Sequence, residues 1–171
     1  EVLGVDISKD MLLEASKHIS AEAATRIRLS HGDGESLEFL ASGSIDSIVC
    51  FRLMHLVKNP SRLRILREFA RVMKGELILQ AYVSPSRSLA ALAARYVDKA
   101  IGVLMRPRLP KVLKNTPWSH IKSYRLKERE LLEMFGSAGL TVSARYSLCT
   151  YEGSEVAVFL LRKVPLISKI L

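Results

Sequence analysis

The sequence predicts an α/β fold with a doubly wound, mostly parallel β-sheet whose last strand is antiparallel. Short apolar strand patterns alternate along the chain with amphipathic helix patterns, and this alternation is typical of a parallel sheet covered by helices on both faces. The 171 residues include 49% hydrophobic and 25% charged side chains, the ordinary balance of one globular domain with a buried core. The same composition excludes a disordered chain, a collagen and a disulfide scaffold.

The N-terminal part of the chain contains three strand patterns. Residues 1–5 (EVLGV) predict a strand, and Ser8 after it is a good N-cap for an amphipathic helix. Residues 26–30 alternate as a second strand and lead into a turn rich in glycine. The apolar run at 46–51 is short, which favours a third, buried strand. These patterns predict successive strands that lie parallel in one sheet.

A helix and a fourth strand follow. Asn59 and Pro60 predict the start of the helix, with Asn as its cap and Pro as its first helical residue. Lys74 and Gly75 close the helix, and residues 76–82 (ELILQAY) form the fourth strand pattern. We therefore expect a tight turn between this helix and the fourth strand.

The C-terminal part predicts one more helix and two strands. The helix covers residues 128–138 and is stopped by Gly139, which suits a left-handed backbone. Residues 140–148 alternate between apolar and polar side chains, and residues 156–161 are continuously apolar. A turn at 152–153 separates the two stretches, so we expect them to be antiparallel neighbours.

The net charge of +9 lies in one segment of the chain. Residues 1–83 carry 11 basic and 11 acidic side chains, and residues 128–171 carry five of each. Residues 84–127 carry ten basic side chains and a single acid, Asp98. Such concentration is typical of a local binding surface, because a general basic coat would spread the charge.

Three loops are candidates for a ligand site, because ligands of doubly wound sheets bind at the carboxyl ends of the strands. Asp6 follows the first strand and can accept hydrogen bonds from the vicinal hydroxyls of a ribose, or can be an ordinary turn residue. Asp33 and Gly34 follow the second strand and can bind the edge of adenine, or can form a plain Asx turn. Phe51 follows the third strand and can cover a base or belong to the core. Together and in this order, they predict an adenosine site.

Four stretches resemble, in sequence order, the motifs of the class I S-adenosylmethionine-dependent methyltransferases of the small-molecule and quinone-biosynthesis type. They are residues 4–12 (GVDISKDML), 32–37 (GDGESL), 45–57 (IDSIVCFRLMHLV) and 66–74 (LREFARVMK). The resemblance implies a Rossmann-like methyltransferase fold, S-adenosylmethionine as the cofactor, and methyl transfer to a hydrophobic small molecule.

The resemblance also implies a role for each candidate residue. Asp6 would hold the ribose hydroxyls, and Ile7 would pack on the adenine. Asp33 and Gly34 would bind the edge of the base, and Phe51 would line the cofactor. It implies no catalytic side chain, because the sulfonium is already activated and orientation supplies much of the acceleration. His55 is interpreted as a hydrogen-bonded, partly buried histidine rather than a base, and the histidines show no metal-ligand spacing.

The sequence departs from the family at its start. The first strand of the family and its glycine-rich loop would precede Glu1, so we expect a fragment that is inactive by itself. We expect residues 1–83 to be a partial cofactor-binding core, 84–123 a basic amphipathic cap, and 124–171 the helix and strands that complete the same domain. A nicotinamide-dinucleotide dehydrogenase would share the acid after the first strand but does not predict Asp33 and Gly34.

The basic cap allows several interpretations. Residues 89–106 divide at helical spacing into an apolar face and a face with Arg95, Lys99 and Arg106. The helix could be solvated, or could cover the acceptor and touch an anionic membrane surface. A non-catalytic domain that binds a partner or membrane through this helix is the alternative function. Nucleic acid is disfavoured, because the basic residues are not interleaved with several stacking aromatics.

The compartment predicted from the sequence is the cytoplasm, with membrane association through the basic helix as an option. The longest stretch without a charged residue is the eleven residues 134–144, well short of the ~20 apolar residues of a membrane-spanning helix. Cys50 and Cys149 both lie in apolar stretches, so we expect two buried thiols in a reducing environment.

Overall fold

The structure is a computed structural model that describes residues 1–84, 126–151 and 154–164. The helix predicted over 89–106 and the turn predicted at 152–153 lie outside the described residues. The described strands and helices are β1 (Val2–Asp6), α1 (Lys9–Lys17), α2 (Ala21–Ala24), β2 (Ile27–His31), β3 (Ile48–Cys50), α3 (Asn59–Val72), β4 (Glu76–Ser84), β5 (Leu126–Lys127), α4 (Glu128–Ser137), β6 (Leu140–Tyr151) and β7 (Ser154–Lys163).

The strands form two sheets. In the first, β1 is parallel to β2, with Asp6 opposite His31. In the second, the order is β3-β4-β7-β6, and the short β5 pairs in parallel with the end of β4. Strand β3 is parallel to β4, whereas β7 is antiparallel to both of its neighbours. The predicted α/β fold with an antiparallel last strand is therefore confirmed. Among the described residues, β1 pairs only with β2 and β3 only with β4, so the prediction that the first three strands lie in one sheet is wrong for these residues.

The core lies between the two longer helices and the middle of the second sheet. Strand β4 buries every second residue, and the edge-to-face rings of Phe135 and Phe159, 5.4 Å apart, join α4 to β7. The buried side chains of these four elements include Ile65, Leu66, Phe69 and Val72 of α3, Leu77, Leu79, Ala81 and Val83 of β4, Leu131 and Phe135 of α4, and Phe159 and Leu161 of β7. This core holds the carboxyl ends of β3 and β4 in a fixed relation to α3.

The start of α3 differs from the prediction. Asn59 is inside the helix, and Lys58 is the N-cap without a side-chain capping hydrogen bond. The amide oxygen of Asn59 instead accepts a hydrogen bond from the buried guanidinium of Arg62. Arg62 Nε also donates to the carbonyl oxygen of Met54 at 2.6 Å. Asn59 therefore binds Arg62 instead of capping the helix. The two hydrogen bonds of Arg62 hold the loop between β3 and α3 in place.

Two glycines behave as the sequence predicts. At Gly75, the amide donates to the Asp46 carbonyl at 2.9 Å, and a Cβ there would lie 2.6 Å from the same oxygen. The turn into β4 is therefore as tight as expected, because only glycine permits this backbone approach. Gly139 has a φ of +74° directly after the C-cap Ala138, so it stops α4 in the left-handed conformation.

Strand β6 does not follow the simple alternation of its sequence. The register with β7 shifts between Val142 and Ala144 and again between Ser147 and Cys149. Such irregularities change which side chains face the core, and Tyr146 and Leu148 are exposed. The prediction of a buried thiol is wrong for Cys149, which is exposed on this strand. It is confirmed for the other cysteine, in β3, whose burial raises the pKa of the thiol to about 12.

Candidate cofactor-binding site

Asp6 is the last residue of β1, and one of its carboxylate oxygens already accepts a hydrogen bond from the backbone. Oδ1 accepts a hydrogen bond from the Ser8 amide at 2.7 Å, and Ser8 Oγ accepts from the Met11 amide as the N-cap of α1. The second oxygen, Oδ2, makes no hydrogen bond with the described residues. A carboxylate oxygen can accept from two donors, so Asp6 can be a turn residue and still bind ribose hydroxyls.

Ile7 is the residue directly after Asp6 and lies at the carboxyl end of β1. Its side chain is 64% exposed, and its carbonyl oxygen lies 3.0 Å from Nε2 of His31, the last residue of β2. This contact ties the carboxyl ends of the two strands together. An exposed apolar side chain fixed at this edge is suited to packing on a planar base.

Asp33 and Gly34 form the turn that the sequence offers as one of two interpretations. Asp33 Oδ1 accepts from the Glu35 amide at 2.9 Å, which is an Asx turn, and Oδ2 has no hydrogen bond with the described residues. The position where Gly34 would carry a Cβ lies 3.6 Å from Ile65, an ordinary contact distance. Gly34 is therefore not required by the packing, and its missing side chain leaves the backbone open to a ligand.

The loop that carries Asp33 is held against α3. Glu35 pairs with Arg64, and this hydrogen bond holds the pKa of the Glu35 carboxyl below its usual range. Glu68 accepts the Leu37 amide at 2.8 Å and pairs with Arg71, whose hydrogen bond lowers the pKa of Glu68. Because α3 follows directly from the loop after β3, these contacts bring the end of β2 toward the end of β3.

Phe51 follows directly after β3, and its side chain is 55% exposed. This exposure argues against the interpretation of Phe51 as a core residue. The next residue, Arg52, has a φ of +61°. A non-glycine residue in the left-handed region costs about 1 kcal/mol or more and is common at functional sites. The end of β3 is therefore an exposed aromatic followed by a strained backbone.

His55 differs from its sequence interpretation. Its Nδ1 atom is buried and has no hydrogen-bond partner in the part of the chain that the structure describes, so the expectation of a hydrogen-bonded histidine fails for this nitrogen. The imidazole packs edge-to-face on Tyr82 of β4, with ring centroids 4.5 Å apart. Burial and the charges of Arg52 and Arg62 lower the pKa of His55. The signal in the sequence was its place in the loop after a parallel strand.

The described residues fit the adenosine half of the expected cofactor. Two carboxylates each use one oxygen to hold their own loop and keep a second oxygen available. Two apolar side chains, one after β1 and one after β3, are exposed. No group of three His, Cys, Asp or Glu side chains within 1–84, 126–151 and 154–164 is placed to hold a metal ion. None of the helices described in those ranges is long and apolar enough to cross a membrane.

Comparison with solved structures identifies the fold. The structure of LepI in complex with SAM is 15% identical with a TM-score of 0.61, and the match covers 95% of this chain and 36% of that chain. Magnesium protoporphyrin IX methyltransferase from Synechocystis PCC 6803 with bound SAH is 18% identical with a TM-score of 0.58, covering 94% and 64%. Mitomycin 7-O-methyltransferase is 20% identical with a TM-score of 0.63, covering 94% and 41%. The chain has the Rossmann-like fold of the S-adenosylmethionine-dependent methyltransferases.

A family model also matches part of the sequence. Residues 1–76 match the family model described as a methyltransferase domain. These residues contain all five predicted cofactor contacts. No curated protein sequence gives a significant match to the chain. The chain spans about a third of the length of the LepI protein that it resembles.

Proposed function

We propose that this domain takes part in S-adenosylmethionine-dependent methyl transfer to a hydrophobic small-molecule acceptor. The observation that carries the proposal is the pair of carboxylates, Asp6 and Asp33, after two adjacent parallel strands. Each has one oxygen fixed by a backbone amide and a second oxygen available for a ligand. The methyltransferase neighbours named above act on small molecules, which supports an acceptor of that class.

In this proposal the chain binds and orients, and the bound cofactor supplies an activated methyl group. Asp6 accepts hydrogen bonds from the ribose hydroxyls, while Asp33 accepts from the exocyclic amine of adenine and the Gly34 amide donates to a ring nitrogen. Ile7 and Phe51 cover the faces of the nucleoside and exclude water. These contacts hold the reacting carbon in place, and orientation of this kind lowers the barrier of a transfer reaction.

The test is a calorimetric titration of the chain with S-adenosylhomocysteine, adenosine and NADH. We expect the first two ligands to compete for one site and NADH not to bind, because a dehydrogenase does not need the contacts of Asp33 and Gly34. Binding of NADH in preference to S-adenosylhomocysteine would assign the domain to the dehydrogenases.

The concentration of positive charge in residues 84–127 favours a second function, peripheral contact with an anionic membrane. We expect sedimentation with vesicles to rise with their phosphatidylserine content and to fall with added salt. Changing Arg95, Lys99 and Arg106 together to glutamine should remove this sedimentation, because each cation near such a surface contributes about 1 kcal/mol. Equal sedimentation of the variant and the wild type would reject a membrane role for this segment.

A further inference from the structure

His31 is the last residue of β2, and its side chain holds the backbone at the end of the neighbouring strand. In the parallel register of the first sheet it lies opposite Asp6, the last residue of β1. Its Nε2 atom lies 3.0 Å from the carbonyl oxygen of Ile7, the residue directly after β1. His31 therefore reaches across the sheet to the residue to which we assign the packing on adenine.

The peptide unit between Ile7 and Ser8 is held from both sides. A carbonyl oxygen only accepts, so Nε2 of His31 donates the hydrogen bond to the carbonyl side. On the other side the Ser8 amide donates to Asp6 Oδ1 at 2.7 Å. The Ile7 carbonyl has no further hydrogen bond among the described residues, so His31 supplies one half of this clamp.

The backbone of the sheet does not hold Ile7 in place. The Gly32 amide donates to the Asp6 carbonyl at 3.1 Å, and the pairing of β1 with β2 ends at this point. Ile7 lies one residue beyond it with an exposed side chain, which the core does not restrain. A side chain that is fixed before its ligand arrives loses less conformational entropy on binding. The clamp at residue 7 can therefore contribute to ligand affinity.

We propose that His31 is a positioning residue of the adenosine site. By binding the Ile7 carbonyl, it keeps the Ile7 side chain in the place where that side chain packs on the base. The proposal rests on the function proposed above and adds a residue that acts through Ile7, without a ligand contact of its own. A supporting hydrogen bond of this kind is what preorganises a binding group.

The test compares His31→Gln with His31→Asn by calorimetric titration with S-adenosylhomocysteine. The amide nitrogen of glutamine reaches about as far from the backbone as Nε2 of histidine, whereas that of asparagine reaches only as far as Nδ1. We expect His31→Gln to bind within about twofold of the wild type and His31→Asn about threefold to tenfold more weakly, as the loss of one net hydrogen bond allows. The two variants differ by one methylene at an exposed position, so their folded fractions are directly comparable.

A double-mutant cycle separates positioning from a general effect on the fold. Ile7→Ala removes the apolar side chain but keeps the carbonyl that His31 binds. In that background His31→Asn should change Kd by less than about twofold, because no side chain remains to be positioned. His18→Asn is the control, because His18 is an exposed histidine at the end of α1 that contacts Glu14, and it should not change Kd in either background.

The outcomes distinguish this proposal from the proposed function. Equal affinities of His31→Gln and His31→Asn would overturn the role of His31. A loss from His31→Asn that is as large with Ile7→Ala as without it would overturn the role too, since the hydrogen bond would then act on the fold alone. If the wild-type chain does not bind S-adenosylhomocysteine, the proposed function itself is rejected, and the role of His31 with it.

Discussion

Replacement of Asp6 by alanine tests the nucleoside site most directly. The structure assigns one carboxylate oxygen to the Ser8 amide, so a single oxygen remains for the two ribose hydroxyls. A hydrogen bond to a charged group contributes about 1.5–3 kcal/mol when buried and less when partly exposed. We expect Asp6→Ala to weaken binding of S-adenosylhomocysteine by about 1–3 kcal/mol, or about 5-fold to 150-fold in Kd.

Calorimetry with two further variants isolates the ligand contact from the turn. Asp6→Asn keeps an oxygen that can accept from Ser8 but loses the charge, so it should fold as the wild type does and still bind more weakly. Asp46→Ala removes an exposed carboxylate two residues before β3 begins, at the opposite end of the strand, and should leave affinity unchanged. A folded Asp6→Ala protein with wild-type affinity would refute the reasoning and leave Asp6 as a turn residue alone.

Glycine replacements give two further predictions. Gly34→Ala should change the free energy of unfolding by less than about 1 kcal/mol, since its Cβ meets Ile65 at 3.6 Å, but should weaken S-adenosylhomocysteine binding about tenfold by blocking the base. Calorimetry that shows full affinity would remove Gly34 from the site. Gly75→Ala should destabilise the protein by about 1–3 kcal/mol through the clash with Asp46, whereas Gly136→Ala, with no atom within 4 Å, should be neutral or stabilise α4 by up to about 1 kcal/mol. Urea unfolding checks both, and equal effects would contradict the packing argument.

Local signals in the sequence predicted the elements well where one residue determines the backbone. Ser8 caps α1, and Gly139 stops α4, because each acts on neighbours within a few positions. Asn59 failed as a cap because its partner, Arg62, is buried by tertiary packing. The sequence pattern also did not predict the register shifts in β6, since they depend on how β6 pairs with β7, the strand that follows it.

The candidate site was predictable in its positions but not in its chemistry. The order of acid, Asp-Gly and aromatic after successive strands located Asp6, Asp33 and Phe51 at strand ends, as the structure shows. The sequence did not show that each carboxylate uses one oxygen in its own turn and leaves the other without a hydrogen bond among the described residues. Nor did it show that Nδ1 of His55 has no hydrogen-bond partner among the described residues, because the hydrogen bonds of a histidine depend on every group that packs around it.

The division of the strands into two sheets affects which part of the protein unfolds locally first. Two-stranded sheets are marginal by themselves, and β1 and β2 depend on the contacts of their loop with α3 and on Val5 against the core. Their amides should exchange with deuterated solvent through local opening, well before those of β4 and β7. A nucleoside held by Asp6 on one sheet and Phe51 on the other would join the two units. Cofactor binding would then slow exchange most strongly in the smaller sheet, so that the ligand is part of what holds its own site together.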